Sequence, residues 1–337
     1  MELEELADRL ARFARAQYDD PAAQVSGVHK MPGHAGFAYG FDVESRGQRE
    51  SFFLRLPPPN VKWQGTADVL RQVQALRALD GTEVPHCSVR WSGDDLEWFG
   101  RPYFVVPKLE GDVLRLGPGD WAAKLPPGKL REMARQAMRA LAGIHRVPWQ
   151  ERAPGLGPAL PFEDDVVRWD RFLPKLAEPE RFRLQPRVRE RLLATLPSGA
   201  HVGLFHGDFQ VGNLFFSFAG ELLAVIDWEL VGIGATGNDV GWIATFNDPA
   251  AWPARGSFGP SDAGFPGADE LVDLYREAWG GPLADLDWYR ALAAYKFAII
   301  SGFNLALHRR GKRHDPLWEE MVKAIEPLLA RAAELLG

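Results

Sequence analysis

The 337-residue chain contains a single cysteine, Cys87, which excludes an internal disulfide framework and fits a reducing compartment. With no second thiol beside it, Cys87 reads as a small buried hydrophobe. Positive charge is also scarce: 39 Lys and Arg stand against 45 Asp and Glu, a net of −6, whereas proteins that grip nucleic-acid backbones need a basic excess. No apolar run approaches the roughly 18 residues of a membrane-crossing helix. The acidic start Met1-Glu2-Leu3-Glu4-Glu5 lacks the basic-then-apolar order of a signal peptide. Internal repeats and low-complexity tracts are missing as well. What is left is the expectation of a cytoplasmic, two-lobed globular protein without a nucleic-acid or membrane partner. Its 46% hydrophobic and 25% charged residues are ordinary for a soluble enzyme.

The chemistry-bearing residues concentrate between Leu204 and Asp239. His206-Gly207-Asp208 is followed five residues after the aspartate by Asn213, and Asp227-Trp228-Glu229 closes the apolar run Leu222–Ile226. The Ala219-Gly220 turn lies between the two clusters. The pattern gives a loop, a short strand, a turn and a second strand. A hairpin of that kind brings Asn213 and Asp227 together, with Asp208 on the adjoining loop. Two carboxylates and an amide oxygen are hard ligands, suited to Mg²⁺ and a phosphate rather than to zinc or copper. A histidine, a base-like aspartate, an asparagine and a metal-binding aspartate in this order are also the parts of a phosphoryl-transfer site. Asp and Asn beside Gly are common in ordinary turns. The second acidic cluster lifts the motif above a turn, because an apolar strand does not end in unpartnered carboxylates without reason.

In the N-terminal third, Leu3, Leu6, Leu10 and Phe13 predict an amphipathic helix over 1–17. Antiparallel strands are expected at 24–28, 37–43 and 51–56, with glycine-bearing turns between them. Gly33 and Gly36 in the first connection suit a loop whose N–H groups cover phosphates. A helix over 67–79, a strand over 87–91 and a turn over 92–95 come next. A buried strand from Tyr103 to Val106 then meets Pro107-Lys108-Leu109, read as an interlobe hinge. The rest is helical in texture. One helix spans 130–144 and is closed by His145, a core or capping residue. An irregular helical stretch over 147–199 carries Trp149 and Trp169. Helices at 271–279, 288–307 and 318–336 follow a Pro- and Gly-rich loop over 247–267, and the basic run 308–314 separates the last two.

The unbroken His206-Gly207-Asp208-(four residues)-Asn213 and Ile226-Asp227-Trp228-Glu229 resemble the aminoglycoside phosphotransferase and choline kinase group. Ala224–Leu230, Gly232 and Asp239-Val240-Gly241-Trp242 look most like the branch related to the kinase-like domain of acyl-CoA dehydrogenase family member 10. The likeness is strong from about Tyr103 to Trp242 and looser outside. It implies an α+β, bilobal, protein-kinase-like fold: an N-terminal nucleotide-binding lobe over 1–107 with a small antiparallel sheet, and a larger, mostly helical lobe over 108–337. ATP or GTP is expected between the lobes. Mg²⁺ falls to Asn213 and Asp227, and Asp208 is the general base toward a small-molecule hydroxyl. Glu229 is a further metal or acceptor group, and His206 and Asp239 support the catalytic loop. On the nucleotide side the resemblance points to Gly33, Gly36 and Arg55 for the phosphates, and to the Pro107 carbonyl and Leu109 N–H for adenine.

Two positions depart from the protein-kinase pattern. Arg55 stands where lysine is usual, and Gln72 where a helix glutamate pairs with that lysine. They keep a second reading open, a nucleotide-binding pseudokinase without turnover. A protein kinase fits less well, since the short interval from Asp227 to Asp239 leaves little room for a peptide-docking segment. The acceptor is left open by the sequence. An aminoglycoside calls for an acidic pocket such as Asp262, Asp269, Glu270 and Asp273 would supply. A hydroxyacyl-CoA calls for the basic run at Arg309–Arg313, unless that run is a solvated loop, and other hydroxylated metabolites are also open. Oligomeric state is not set by the sequence.

Overall fold

In a computed structural model, which describes residues 2–31, 37–116, 119–252 and 264–337, the N-terminal lobe is built on a five-stranded antiparallel sheet. Its strands are β1 (Gln24–Lys30), β2 (Ala38–Ser45), β3 (Gln48–Arg55), β4 (Trp91–Gly93) and β5 (Tyr103–Pro107), in the order β1-β2-β3-β5-β4. Arg46 and Gly47 join β2 to β3 with φ of 51° and 78°, the positive-φ pair of a two-residue hairpin turn. The hairpin then stays in register from Ser45↔Gln48 to Ala38↔Arg55.

Side chains alternate across a strand, so β5 serves two cores. Tyr103 and Val105 pack with Phe52 and Leu54 of β3 and with Leu6, Leu10 and Phe13 of α1 (Leu3–Tyr18). Phe104 and Val106 face the other way, toward Val69, Val73 and Leu76 of α2 (Val69–Leu79). That second cluster continues without a break through Met133 and Met138 of α3 (Lys129–His145) to Leu204, Leu214 and Val225. A boundary at residue 107 therefore falls at the end of β5 without dividing the core beneath it.

The second lobe is mostly helical, with two small antiparallel sheets. β7 (Val202–Phe205) pairs with β10 (Gly232–Ala235), and β6 (Asp112–Val113), β8 (Leu214–Phe216) and β9 (Leu222–Val225) form the other. The stretch over 147–199 holds short helices α4 (Trp149–Arg152), α5 (Phe162–Val167) and α6 (Gln185–Ala194) among single 3₁₀ turns. They are followed by α7 (Gly237–Phe246), α8 (Ala268–Trp279), α9 (Leu286–Arg309), α10 (Leu317–Met321) and α11 (Ile325–Leu336). By length and composition alone α9 is apolar enough to cross a bilayer, which no run in the linear sequence suggested, and 72% of that stretch is buried inside the fold. Its apolar residues serve as the lobe's axis: Leu292, Tyr295 and Ile299 lie in one cluster with Val188, Leu192, Leu328 and Leu329.

Three local expectations need correction. The strand foreseen over 87–91 begins only at Trp91, because Ser92 and Gly93 find Phe104 and Tyr103 across the ladder. The turn foreseen over 92–95 consequently moves to about Leu96–Gly100, closed by the Gly100 N–H on the Leu96 carbonyl. The single helix foreseen over 318–336 breaks into α10 and α11 around a 3₁₀ turn at Val322–Ala324. Pro327 accounts for the break, since its ring clashes with the carbonyl four residues back and it has no N–H to donate.

Candidate active site

The hairpin register assembles the polar corner. Leu214 pairs with Val225 and the Ile226 N–H donates to the Asn213 carbonyl at 2.9 Å, so Asn213 and Asp227 flank the same end of β8 and β9. His206, Gly207 and Asp208 leave the end of β7, where Phe205 pairs with Gly232. The Asp208 carboxylate is held at both oxygens. Asn213 Nδ2 donates to Oδ2 at 2.9 Å, and the Trp242 indole N–H donates to Oδ1 at 2.8 Å. Asn213 Nδ2 also donates to the Asp208 carbonyl at 2.8 Å, which leaves the Asn213 Oδ1 lone pairs for another partner. Burial pushes the Asp208 carboxyl up to about 7, with Asp227 and Glu229 adding to the rise and the Trp242 and Asn213 hydrogen bonds opposing it.

Two residues hold the loop from beneath. His206 Nε2 lies 2.9 Å from the Ile226 carbonyl and its Nδ1 accepts from the Asp208 N–H at 3.2 Å. One ring nitrogen donates and the other accepts, as in a neutral imidazole, and burial indeed lowers the His206 pKa. Asp239 takes the His206 N–H at 2.7 Å and the Gly207 N–H at 2.8 Å. Its Oδ2 also lies 3.2 Å from His145 Nε2, and His145 Nδ1 lies 2.8 Å from the Tyr275 hydroxyl. Burial by itself would raise Asp239, but His145, His206 and the Gly207 N–H together hold it below the usual carboxylate range. Asp239 is the third residue of α7 rather than its N-cap, which is Thr236, so its acceptors serve the loop and not the helix end. His145 is the core residue that its position at the end of a helix suggested.

The backbone carries strain at two points here. Gly207 has φ +90°, and a Cβ added there would meet the Leu230 carbonyl oxygen at 2.4 Å, so only glycine fits. Asp227 sits in the left-handed region at φ 63°, ψ 63°, a conformation that a non-glycine residue keeps only when its surroundings enforce it. No protein donor engages the Asp227 carboxylate among the described residues. Together with Asn213 Oδ1 it presents hard oxygens, which fits Mg²⁺. No group of three His, Cys, Asp or Glu side chains forms a metal cage among the described residues. Mg²⁺ is commonly held by one or two protein oxygens, the substrate's phosphates and water, so this sparse set matches its habit.

The remaining residues singled out by sequence fall as follows. Arg55, at the end of β3, bridges to Glu229 at 3.4 Å. Burial and Asp227 raise the Glu229 carboxyl to about 7, against the pull of Arg55 and Arg313. Gln72 is 4% exposed and its Nε2 has no hydrogen-bond partner, so it neither faces solvent nor pairs with Arg55. Pro107 is exposed at the end of β5 and Leu109 is half-buried just beyond it. Gly33, Gly36 and Asp262 lie outside the described residues. Of the other acidic residues weighed for an acceptor pocket, Asp269 bridges to Arg290, Glu270 to Arg131 and Asp273 to Arg276. Within the basic run, Arg309 is committed to Glu178 and Glu319, whereas Arg313 is exposed.

With this geometry in place, the comparisons with known proteins point one way. A sequence profile described as the phosphotransferase enzyme family, APH, matches residues 38–297. The chain belongs to that family. It is 32% identical to mouse acyl-CoA dehydrogenase family member 11 over 264 residues, 75% of this chain and 33% of the relative. It is 25% identical to mouse acyl-CoA dehydrogenase family member 10 over 259 residues, 73% of this chain and 24% of that relative. The chain thus spans about a third or less of the length of the curated relatives it matches. Among solved structures, a putative aminoglycoside phosphotransferase from Ralstonia eutropha superposes with a TM-score of 0.78 at 23% identity, covering 98% of this chain and 97% of that one. That likeness supports the bilobal, protein-kinase-like α+β fold.

Sequence reasoning missed one site residue as an actor and one buried charge behind it. Trp242 was noticed only as part of the Asp239-to-Trp242 likeness, yet its indole is a direct partner of Asp208. The signal was available: Asp239 and Trp242 stand three apart on one helix and so share a face. Lys296 lies within the apolar α9, 3.6 Å from Asp165, with its ammonium 5.8 Å from the Trp169 ring centroid and 5.9 Å from that of Trp242. An isolated lysine in a buried helix should have prompted a search for its partner.

Proposed function

We propose that this phosphotransferase-family chain moves the terminal phosphoryl group of ATP or GTP to a hydroxyl of a small molecule. The observation that carries the reading is the Asp208 carboxylate, fixed at both oxygens by Asn213 and Trp242 beside an Asp227 carboxylate that no donor among the described residues engages. The nucleotide lies between the lobes spanning 1–107 and 108–337, its adenine or guanine at Pro107 and Leu109 and its phosphates at Arg55, with Gly33 and Gly36, outside the described residues, as further phosphate contacts. Asn213 and Asp227 would hold Mg²⁺, which would supply positive charge against the negative charge developing on the transferred phosphoryl group. Asp208 orients the acceptor hydroxyl and takes its proton as the new oxygen–phosphorus bond forms and the bond from the terminal phosphorus to its bridging oxygen breaks, releasing ADP or GDP. A carboxyl that burial has lifted to about 7 holds such a proton more readily than an exposed one does. His206 and Asp239 act on the reaction only by holding that loop.

The charge pattern favours an acceptor that is not a polycation. Asp269, Glu270 and Asp273 on α8 each have an arginine partner, and Arg313 is close enough to Glu229 to pull its pKa down. A hydroxylated acceptor bearing phosphate or carboxylate, such as a hydroxyacyl-CoA, suits that arrangement better than an aminoglycoside. The name of the acyl-CoA dehydrogenase relatives belongs to proteins of which this chain matches about a third or less and does not carry dehydrogenase chemistry to this chain. Gln72 in place of a charged helix residue keeps one rival, a nucleotide-binding module without turnover.

The two are separated by nucleotide consumption with Mg²⁺ across a panel of hydroxylated acceptors, wild type beside Asp208→Asn and Asp227→Ala. Acceptor-dependent turnover that both substitutions abolish supports phosphotransfer. Tight nucleotide binding with no turnover on any acceptor, phosphorylated metabolites and acyl-CoA thioesters included, supports the silent module.

A further inference from the structure

Arg55 is half-buried, and among the described residues no charge on its own lobe pairs with it. Its side chain is 13% exposed, and a desolvated guanidinium needs a counter-charge to stay where it is. Alternation along β3 puts Arg55 on the same face as Phe53, which packs against the α2 cluster. Helix α2, however, carries Gln72, a neutral side chain whose Nε2 has no partner among the described residues. The carboxylate that reaches Arg55 is Glu229, 174 residues away in the chain and on the other lobe. Glu229 lies in the short turn Trp228–Leu230, directly after Asp227, and α2 packs against this turn as well as against β5.

We infer that Glu229 is the positioning partner of Arg55, supplying from the second lobe the counter-charge that α2 does not provide. The inference rests on the phosphotransfer reading for the phosphates that Arg55 grips, but the pair itself is a feature of the nucleotide-free protein. Its consequence is mechanical coupling. The strand β3 cation and the Asp227 corner are joined by one ion pair, so the phosphate grip and the metal ligand move into place together. The α2 residue is released from that duty and tolerates glutamine. A different role for Glu229, as a ligand of the metal or of the acceptor, makes opposite predictions when metal and acceptor are both absent.

The test is the affinity for ADP in EDTA, measured by calorimetry for wild type, Glu229→Gln, Arg55→Met and the double variant. Each single substitution is expected to weaken metal-free ADP about 5-fold or more, and the double variant to bind within about 2-fold of Arg55→Met, since both changes remove one interaction. Gln72→Glu placed in the Glu229→Gln background is expected to recover most of the loss. Wild-type ADP affinity in Glu229→Gln, or losses that multiply in the double variant, would overturn the inference. Thermal unfolding of the same four nucleotide-free proteins gives an independent reading: the shifts in Tm should be non-additive by about 1 °C or more, and additive shifts would also overturn it. If the wild type binds no nucleotide at all, the phosphotransfer reading fails, and the unfolding cycle still decides the pair.

Discussion

Replacing Trp242 by phenylalanine isolates one hydrogen bond in the proposed machinery. The indole N–H reaches Asp208 Oδ1 at 2.8 Å, while the ring itself packs against Phe246 and Phe297 with centroids 5.3 and 6.0 Å away. Phenylalanine keeps most of that packing and deletes only the donor. A hydrogen bond to a charged group contributes about 1.5–3 kcal/mol. If Asp208 is held for catalysis by this contact, its loss lowers kcat by about 10- to 150-fold, at 1.36 kcal/mol per decade. KM for the nucleotide should stay within about 2-fold, because Trp242 touches the base and not the cation or metal ligands. The smaller ring leaves a modest void, and a stability loss of about 1–2 kcal/mol is expected. The assay is steady-state turnover at saturating nucleotide, with thermal unfolding to confirm the fold. A folded Trp242→Phe protein with kcat within 2-fold of wild type would refute the positioning of Asp208 by Trp242.

Other consequences follow from the same geometry. Gly207→Ala places a Cβ at φ +90° against the Leu230 carbonyl oxygen and should destabilise the protein by roughly 1–3 kcal/mol; urea unfolding at wild-type stability would contradict this. Asp239→Ala strips two N–H groups and His145 of a buried acceptor and should cost about 3–5 kcal/mol, read from the same unfolding curves. Burial pushes the Cys87 thiol up to about 11, so at pH 8 its thiolate fraction is about 200-fold below that of a free thiol with pKa near 8.5. Cys87 is half-buried, packed against the core rather than enclosed in it, so modification by a thiol reagent should be correspondingly slow, accelerate as pH rises toward 11, and become fast in urea at pH 8; fast labelling of the folded protein at pH 8 would contradict the raised thiol.

What was legible in the sequence was what is local. Asn213 and Asp227 come together because a short hairpin fixes its own register, and the strands of the N-terminal sheet announce themselves through alternation and glycine turns. Features that depend on distant partners were not legible. Arg55 and Glu229 meet across 174 residues, and no spacing in the chain announces the pair. The strand at Trp91 was misplaced because composition shows that a segment can pair, while only β5 decides which of its residues do. The break between α10 and α11 could have been read from Pro327, and Trp242 from its three-residue offset to Asp239. The irregular stretch over 147–199 follows tertiary packing more than any periodicity of its own.

Phosphotransfer by this chain depends most directly on Asp208. Transfer of labelled terminal phosphate from ATP or GTP to a hydroxylated acceptor, compared between wild type and a folded Asp208→Asn protein, measures its role. The expected result is acceptor-dependent transfer by the wild type and a loss of roughly 10²–10⁴ in rate for the variant. Equal rates in the two proteins would contradict the account.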